Sequence, residues 1–170
     1  MVRGKKGAGA LDSAVVVDSL DELADIVTCL KAEGKKIVLT NGTFDLLHVG
    51  HVRCLKDARS RGDYLIVGIN SDASVKKYKS AKLPVQKEDD RIEIVSGLRW
   101  VDYVVKFGEP TADALIHAVK PHIVAKGTDY SAESLPEKAA IASCGAQVAI
   151  CGDKKEHASS KIIDKIKKMK

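Results

Sequence analysis

The sequence predicts an α/β protein: a Rossmann-like, doubly wound parallel sheet of five strands with helices on both faces. Two observations carry this. Short, continuous apolar runs recur along the chain, as expected of strands buried on both sides. Stretches with helical periodicity separate them, and strands alternating with helices build a parallel sheet.

Residues 1–13, rich in Gly, Ala, Lys and Arg, read as a disordered basic tail, with the folded domain spanning 14–170. A first helix fits 20–33. Ser19 caps it, Glu22 completes a capping box, Leu20, Leu23, Ile26, Val27 and Leu30 form the apolar stripe, and Gly34 ends it. Lys36-Ile37-Val38-Leu39-Thr40 is the first strand. Further strands are expected at Tyr64 to Ile69, Tyr103 to Val105, Ile123 to Ala125 and Gln147 to Cys151. Helices are expected near 49–61, 88–99, 111–119, 134–143 and 159–169. One sheet of this size needs no second domain.

The composition agrees. A chain of 170 residues, 45% apolar and 30% charged, suits one globular domain. The net charge of +5 is gathered at the ends, in MVRGKKG and KIIDKIKKMK, and reads as solvated tails rather than a nucleic-acid footprint. No apolar stretch approaches the ~20 residues that span a bilayer, and residues 1–13 lack the apolar centre of a signal peptide. Cys29, Cys54, Cys144 and Cys151 show no C-x-x-C spacing and read as reduced thiols of a cytoplasmic protein.

The chemistry centres on TNGTFDLLHVGHVRCL, Thr40 to Leu55. It falls where a strand hands over to a helix, the edge at which open α/β sheets bind ligands. It is neither G-x-G-x-x-G nor a P-loop, which argues against a dinucleotide dehydrogenase or a P-loop NTPase. Gly42 permits close backbone approach, and Gly50 removes a side chain between His48 and His51. Residues three apart share a helix face, so both imidazoles can aim at one anion at a helix N-terminus. There they would stabilise charge that grows on a phosphate. Zinc is the competing reading, with Asp45, His48 and His51 as ligands. No fourth ligand stands nearby, and steps of three drift around a helix. Plain structural histidines are the other.

T-x-F-D-x-L-H-x-G-H, with N-S-D-A-S, K-G-x-D-Y and a terminal serine pair, resembles the cytidylyltransferase-like nucleotidyltransferases. The likeness runs from about Gly34 to the C-terminus. Within the family it is closest to the branch that adenylylates heptose 1-phosphate, with the glycerol-3-phosphate cytidylyltransferases next. The resemblance implies a phosphate-holding backbone at Thr43 and Phe44, and an α-phosphate-stabilising pair at His48 and His51 flanking Gly50. It implies acceptor contacts at Asp45, Asn70 and Asp72, and phosphate-reaching lysines at Lys76 and Lys79. Arg91 matches the arginine of an E-x-x-R helix start that serves the nucleotide. Lys126, Gly127 and Asp129 match the loop beside base and ribose, and Ser159 and Ser160 the pair that takes the β and γ phosphates. Those serines also read as N-caps of the last helix.

The chain departs from the family pattern at Lys79-Ser80, Leu83-Pro84, Thr128, the stretch 135–146 and His157-Ala158, around the acceptor and triphosphate loops. The implied reaction is in-line attack of an acceptor phosphate oxygen on the α-phosphorus of ATP (or CTP), with pyrophosphate leaving. The attacking phosphate is already ionised, so positioning and charge stabilisation suffice. Mg²⁺ would ride on the triphosphate, held by phosphate oxygens and water rather than by a carboxylate cage. The resemblance also implies a homodimer.

Overall fold

The structure is a computed structural model that describes residues 13–130, 135–153 and 157–169. In chain order the elements are β1 (Val15–Val17), α1 (Leu20–Ala32), β2 (Ile37–Gly42), α2 (Val49–Arg59), β3 (Tyr64–Asn70), α3 (Asp72–Tyr78) and α4 (Glu88–Ser96). There follow β4 (Tyr103–Phe107), α5 (Asp113–Val119), β5 (Ile123–Gly127), α6 (Lys138–Ser143), β6 (Gln147–Cys151) and α7 (Ser159–Lys167). The strands form one sheet in the order β1-β4-β3-β2-β5-β6, and every pairing is parallel.

Among the described residues the sheet therefore has six strands, not the five expected. The extra one, β1, is a three-residue edge strand whose Val15 and Val16 face solvent. A half-exposed run this short carries no burial signature. Its register on β4 pairs Val15 with Tyr103 and Val17 with Val105. The sequence reading also omitted α3, where only Ser74 and Val75 are buried and no apolar stripe exists. A local cap starts it instead: Ser71 Oγ accepts the Ser74 N–H at 3.2 Å. The tail expected at 1–13 lies, apart from Ser13, outside the described residues.

Helix α1 begins as anticipated, with Ser19 Oγ accepting the Glu22 N–H at 3.1 Å. The return bond falls one residue early, because Glu22 Oε2 accepts from the Asp18 N–H rather than from Ser19. The fit is otherwise close.

Alternation along the strands divides the core into two layers. Ile37, Leu39, Ile66, Val105 and Val124 point to the side covered by α1, α5 and α6. Val38, Leu65, Val67, Val104 and Ala125 point to the side covered by α2 and α4. Each such Val, Leu or Ile, fully buried, contributes about 1.5–3 kcal/mol. Gly68 in β3 is the tight spot, since a Cβ there would lie 2.4 Å from Leu115 Cδ2 and 3.3 Å from Phe107. Its bareness lets α5 sit down on the sheet.

From β2 the chain builds outward through β3 and β4 on one side, and β5 and β6 add on the other. The carboxyl ends of β2 and β5 thus lie side by side at the point where the winding reverses. That junction is where an open sheet leaves a crevice. Among the described residues, no helix is long and apolar enough to cross a membrane.

Candidate active site

After Gly42 the chain leaves β2 through Phe44, held in the left-handed region at φ 48°, and enters α2 with His48 as its N-cap. The helix start sets the histidine geometry. The His48 N–H, unused by the helix, donates to Nδ1 of His51 at 3.3 Å. The two rings stack with centroids 3.9 Å apart and planes inclined by 28°. Phe44 braces the other side of His51, with ring centroids 5.4 Å apart. Gly50 is a steric necessity here: a Cβ would stand 3.0 Å from both Cε1 and Nδ1 of His48.

Because Nδ1 of His51 is an acceptor, the neutral ring carries its proton on Nε2. His48 Nδ1 is buried without a hydrogen-bond partner. An unmet N–H is costlier to bury than an unmet lone pair, so His48 also keeps its proton on Nε2. Burial, then His48, then Lys79 push His51 down to about 4. Burial first and His157 second lower His48 as well. Near neutral pH the pair is a set of two uncharged N–H donors.

These rings line a cavity of about 500 Å³. The loop from β2 into α2 contributes Thr43, Phe44, Asp45 and His48, and the first turn of α2 adds Gly50 and His51. Lys79, the C-cap of α3, reaches the same space. Burial lowers its pKa, Asp45 opposes that shift, and Arg91 reinforces it. The end of β5 adds Gly127, the loop after it Asp129, and the first turn of α7 adds Ser159 and Ser160. Ser159 Oγ also donates to the Leu46 carbonyl at 2.9 Å, tying α7 to the loop after β2 across 113 positions of the chain.

Arg91, Asn70, Asp72, Lys126 and Lys76 lie outside the lining. Arg91 is fully buried. Its guanidinium donates to the carbonyls of Thr43 (2.6 Å), Asn70 (2.8 Å) and Gln86 (3.2 Å), and pairs with Asp72 at 2.8 Å. It ties the loops after β2 and β3 to α4. Asn70 and Asp72 serve as its acceptors, and the Asp72 N–H donates to Glu88 Oε2 at 2.7 Å. Asp45 lines the cavity, yet both its oxygens accept backbone N–H groups, from Val85 and Gln86, at 2.8 Å each.

Lys126 is 5% exposed, donates to Asn41 Oδ1 at 2.8 Å, and pairs with the buried Glu137 at 3.1 Å. Burial pulls its pKa down and Glu137 pushes it back up. Lys76 is exposed and lies outside the lining. The N-cap of α7 is Ala158, so Ser159 and Ser160 are its first two helical residues rather than caps.

Sequence reasoning missed several lining groups. Thr128 Oγ1 donates to the Asp153 carbonyl at 2.9 Å, joining the loops after β5 and β6. Tyr78, outside the lining, shares a 2.8 Å hydrogen bond with the lining residue Thr43 through its Oγ1. Cys54 and Cys151 face the cavity as free thiols, and burial pushes Cys54 up to about 12, so it is no nucleophile. His157 also lines it, and a third imidazole two residues before the serines was the one legible signal.

Residues 39–164 match the family model described as Cytidylyltransferase-like. The chain is 45% identical over 165 residues to the bifunctional protein HldE of Geobacter metallireducens, covering 97% of this chain and 34% of that protein. Against the bifunctional protein HldE of Aliarcobacter butzleri it is 48% identical over 119 residues, 70% of this chain and 25% of that one. The chain spans about a third of the length of the first of these relatives.

Among solved structures, the lipopolysaccharide core biosynthesis protein from Thermoplasma volcanium superposes with a TM-score of 0.61 at 27% identity, covering 71% of this chain and 100% of that one. Pantoate-beta-alanine ligase from Francisella tularensis superposes at 0.64 with 18% identity, over 89% of this chain and 73% of that one, and shows the fold alone. The matched segment runs from the centre of β2 into α7 and so encloses every residue of the cavity. The chain belongs to the cytidylyltransferase-like family of nucleotidyltransferases.

Proposed function

We propose that the protein is an adenylyltransferase that moves AMP from ATP onto the phosphate of a sugar 1-phosphate, heptose 1-phosphate first among them. The observation that supports this best is the stacked, neutral His48–His51 pair sharing one cavity with Lys79 and the first turn of α7. Both imidazoles offer Nε2–H to a phosphate, and the helix start adds amides without intrahelical partners. An acceptor phosphate oxygen forms the new bond to the α-phosphorus. The bond from that phosphorus to the bridging oxygen breaks, and its electron pair leaves with pyrophosphate. The donors act on charge that grows in the transition state. Thr43, Phe44, Gly50, Gly127, Asp129, Ser159 and Ser160 would bind the nucleotide, while Asp45, Asn70, Asp72 and Arg91 hold the loops that shape the acceptor side.

Mg²⁺ fits this reading as a companion of the triphosphate. Among the described residues no cluster of three His, Cys, Asp or Glu is placed to hold a metal, and both Asp45 oxygens are taken by backbone N–H groups. Phosphate oxygens and water would supply its shell. The sugar acceptor accords with the likeness to HldE proteins and to a protein described as acting in lipopolysaccharide core biosynthesis. A homodimer, implied by the family resemblance, is part of the proposal.

The test is pyrophosphate release from ATP or CTP against a panel of acceptors: heptose 1-phosphate, other sugar 1-phosphates and glycerol 3-phosphate. ATP with heptose 1-phosphate is expected to be fastest. CTP with glycerol 3-phosphate outpacing every sugar phosphate would overturn the specificity and leave the reaction type standing.

A further inference from the structure

We propose that His157 is a third phosphate-binding imidazole of this cavity, one that grips the pyrophosphate end of the nucleotide and holds it more tightly when protonated. The inference rests on the nucleotidyl-transfer reading given above. His157 immediately precedes Ala158, the N-cap of α7, and lines the cavity together with Ser159 and Ser160. The amides of that first turn lack intrahelical partners and carry the positive end of the helix dipole. His157 extends the same donor surface toward His48, and the two ring centroids are 6.5 Å apart. Gly50 keeps the gap between them open. A Cβ on Gly50 would meet the His48 ring at 3.0 Å and His157 Cβ at 3.4 Å. A polyphosphate whose α-phosphate sits at His48 and His51 can then run across Gly50 to His157 and α7.

The charges around His157 call for an anion. His48 faces it from the start of α2, and His157 disfavours a charge on His48. Asp153, at the end of β6, is the acidic group that feels it, but that carboxylate is already engaged by Arg53 of α2. Lys79 brings a further cation to the same cavity. Among the described residues the His157 ring nitrogens take no hydrogen-bond partner. An arriving triphosphate supplies the missing negative charge and favours the protonated ring. His48 and His51, more deeply set, stay neutral and act on the α-phosphate. The three imidazoles thus divide the work by burial.

The experiment is calorimetric binding of ATP, AMP and pyrophosphate, with Mg²⁺, to the whole chain at about pH 6 and about pH 8, the range across which histidine changes charge. His157→Gln should weaken ATP and pyrophosphate about tenfold at the lower pH, the size of one charge-assisted hydrogen bond. It should weaken them much less at the higher pH and leave AMP alone. His157→Lys should restore ATP affinity and remove that part of the pH dependence. Equal losses for ATP and AMP, or ATP affinity that His157→Gln leaves untouched at both pH values, would overturn this proposal alone. A wild-type chain that binds neither ATP nor pyrophosphate would overturn the proposed function along with it.

Discussion

The backbone N–H of His48 donates to Nδ1 of His51 at 3.3 Å, so the N-cap of α2 fixes the tautomer of the residue one turn later. The helix start is half of a capping box in which an imidazole replaces the usual glutamate. Its by-product is an Nε2–H donor that needs no further orienting group.

If that donor acts in the transition state, His48→Ala or His51→Ala should each lower kcat by about 10²–10³. The dissociation constant for ATP should move far less. Single-turnover kinetics beside equilibrium binding separates the two, and a large affinity loss at unchanged kcat would make the rings ground-state ligands.

The same burial makes the fold acid-sensitive. His51 takes up a proton near 6.5 when unfolded and near 4 when folded, so between those values unfolding binds a proton and stability falls with falling pH. The loss should approach roughly 3–3.5 kcal/mol at the acid end, on the order of 1.4 kcal/mol per unit of depressed pKa. Urea titrations from neutral pH downward should show it in the wild type, and His51→Gln should flatten the slope. An identical slope in both proteins would assign the acid sensitivity elsewhere.

Gly50→Ala places a methyl group 3.0 Å from the His48 ring, which must rotate or shift to admit it. A displaced donor of this kind is expected to cost roughly 10²-fold in kcat, with little change in thermal midpoint because the site is at the cavity edge. Unaltered turnover in Gly50→Ala would show that the ring has room to spare.

Arg91 distinguishes framing from binding. Arg91→Ala leaves the Asp72 carboxylate and three carbonyls without their donor, and removing one partner of a buried pair costs about 3–5 kcal/mol. Arg91→Lys should rescue little, since an ammonium cannot span that fork of acceptors. Denaturant midpoints measure this directly. A variant of wild-type stability with weakened ATP binding would instead return Arg91 to the nucleotide.

Ser159→Ala with Ser160→Ala should weaken ATP more than AMP if the first turn of α7 receives the triphosphate tail. The lost Ser159–Leu46 hydrogen bond should lower stability by only about 1 kcal/mol. Equal effects on the two nucleotides would reduce the pair to a structural tether.

Local signals were legible wherever one segment contained its own reason. The Ser19–Glu22 cap, the continuous run of β2 and the i, i+3 spacing of His48 and His51 all act within a few residues. β1 and α3 were illegible for the opposite reason. One is an exposed edge held by pairing to Tyr103–Val105, and the other is a helix with almost no buried face. Neither leaves a periodic trace in the chain.

The sequence by itself determined the alternating α/β plan, the place of the chemistry after β2 and the identity of the paired imidazoles, because periodicity and short motifs are local properties. Only the tertiary structure decided which polar side chains face the cavity and which hold it together. Arg91, Lys126 and Asp45 carry the same charges whether they meet a phosphate or a protein oxygen. Their roles depend on partners distant in the chain: Thr43 and Asn70 for Arg91, Asn41 and Glu137 for Lys126, Val85 and Gln86 for Asp45. A buried charge must find such partners within its own fold. Folding is what brings them together.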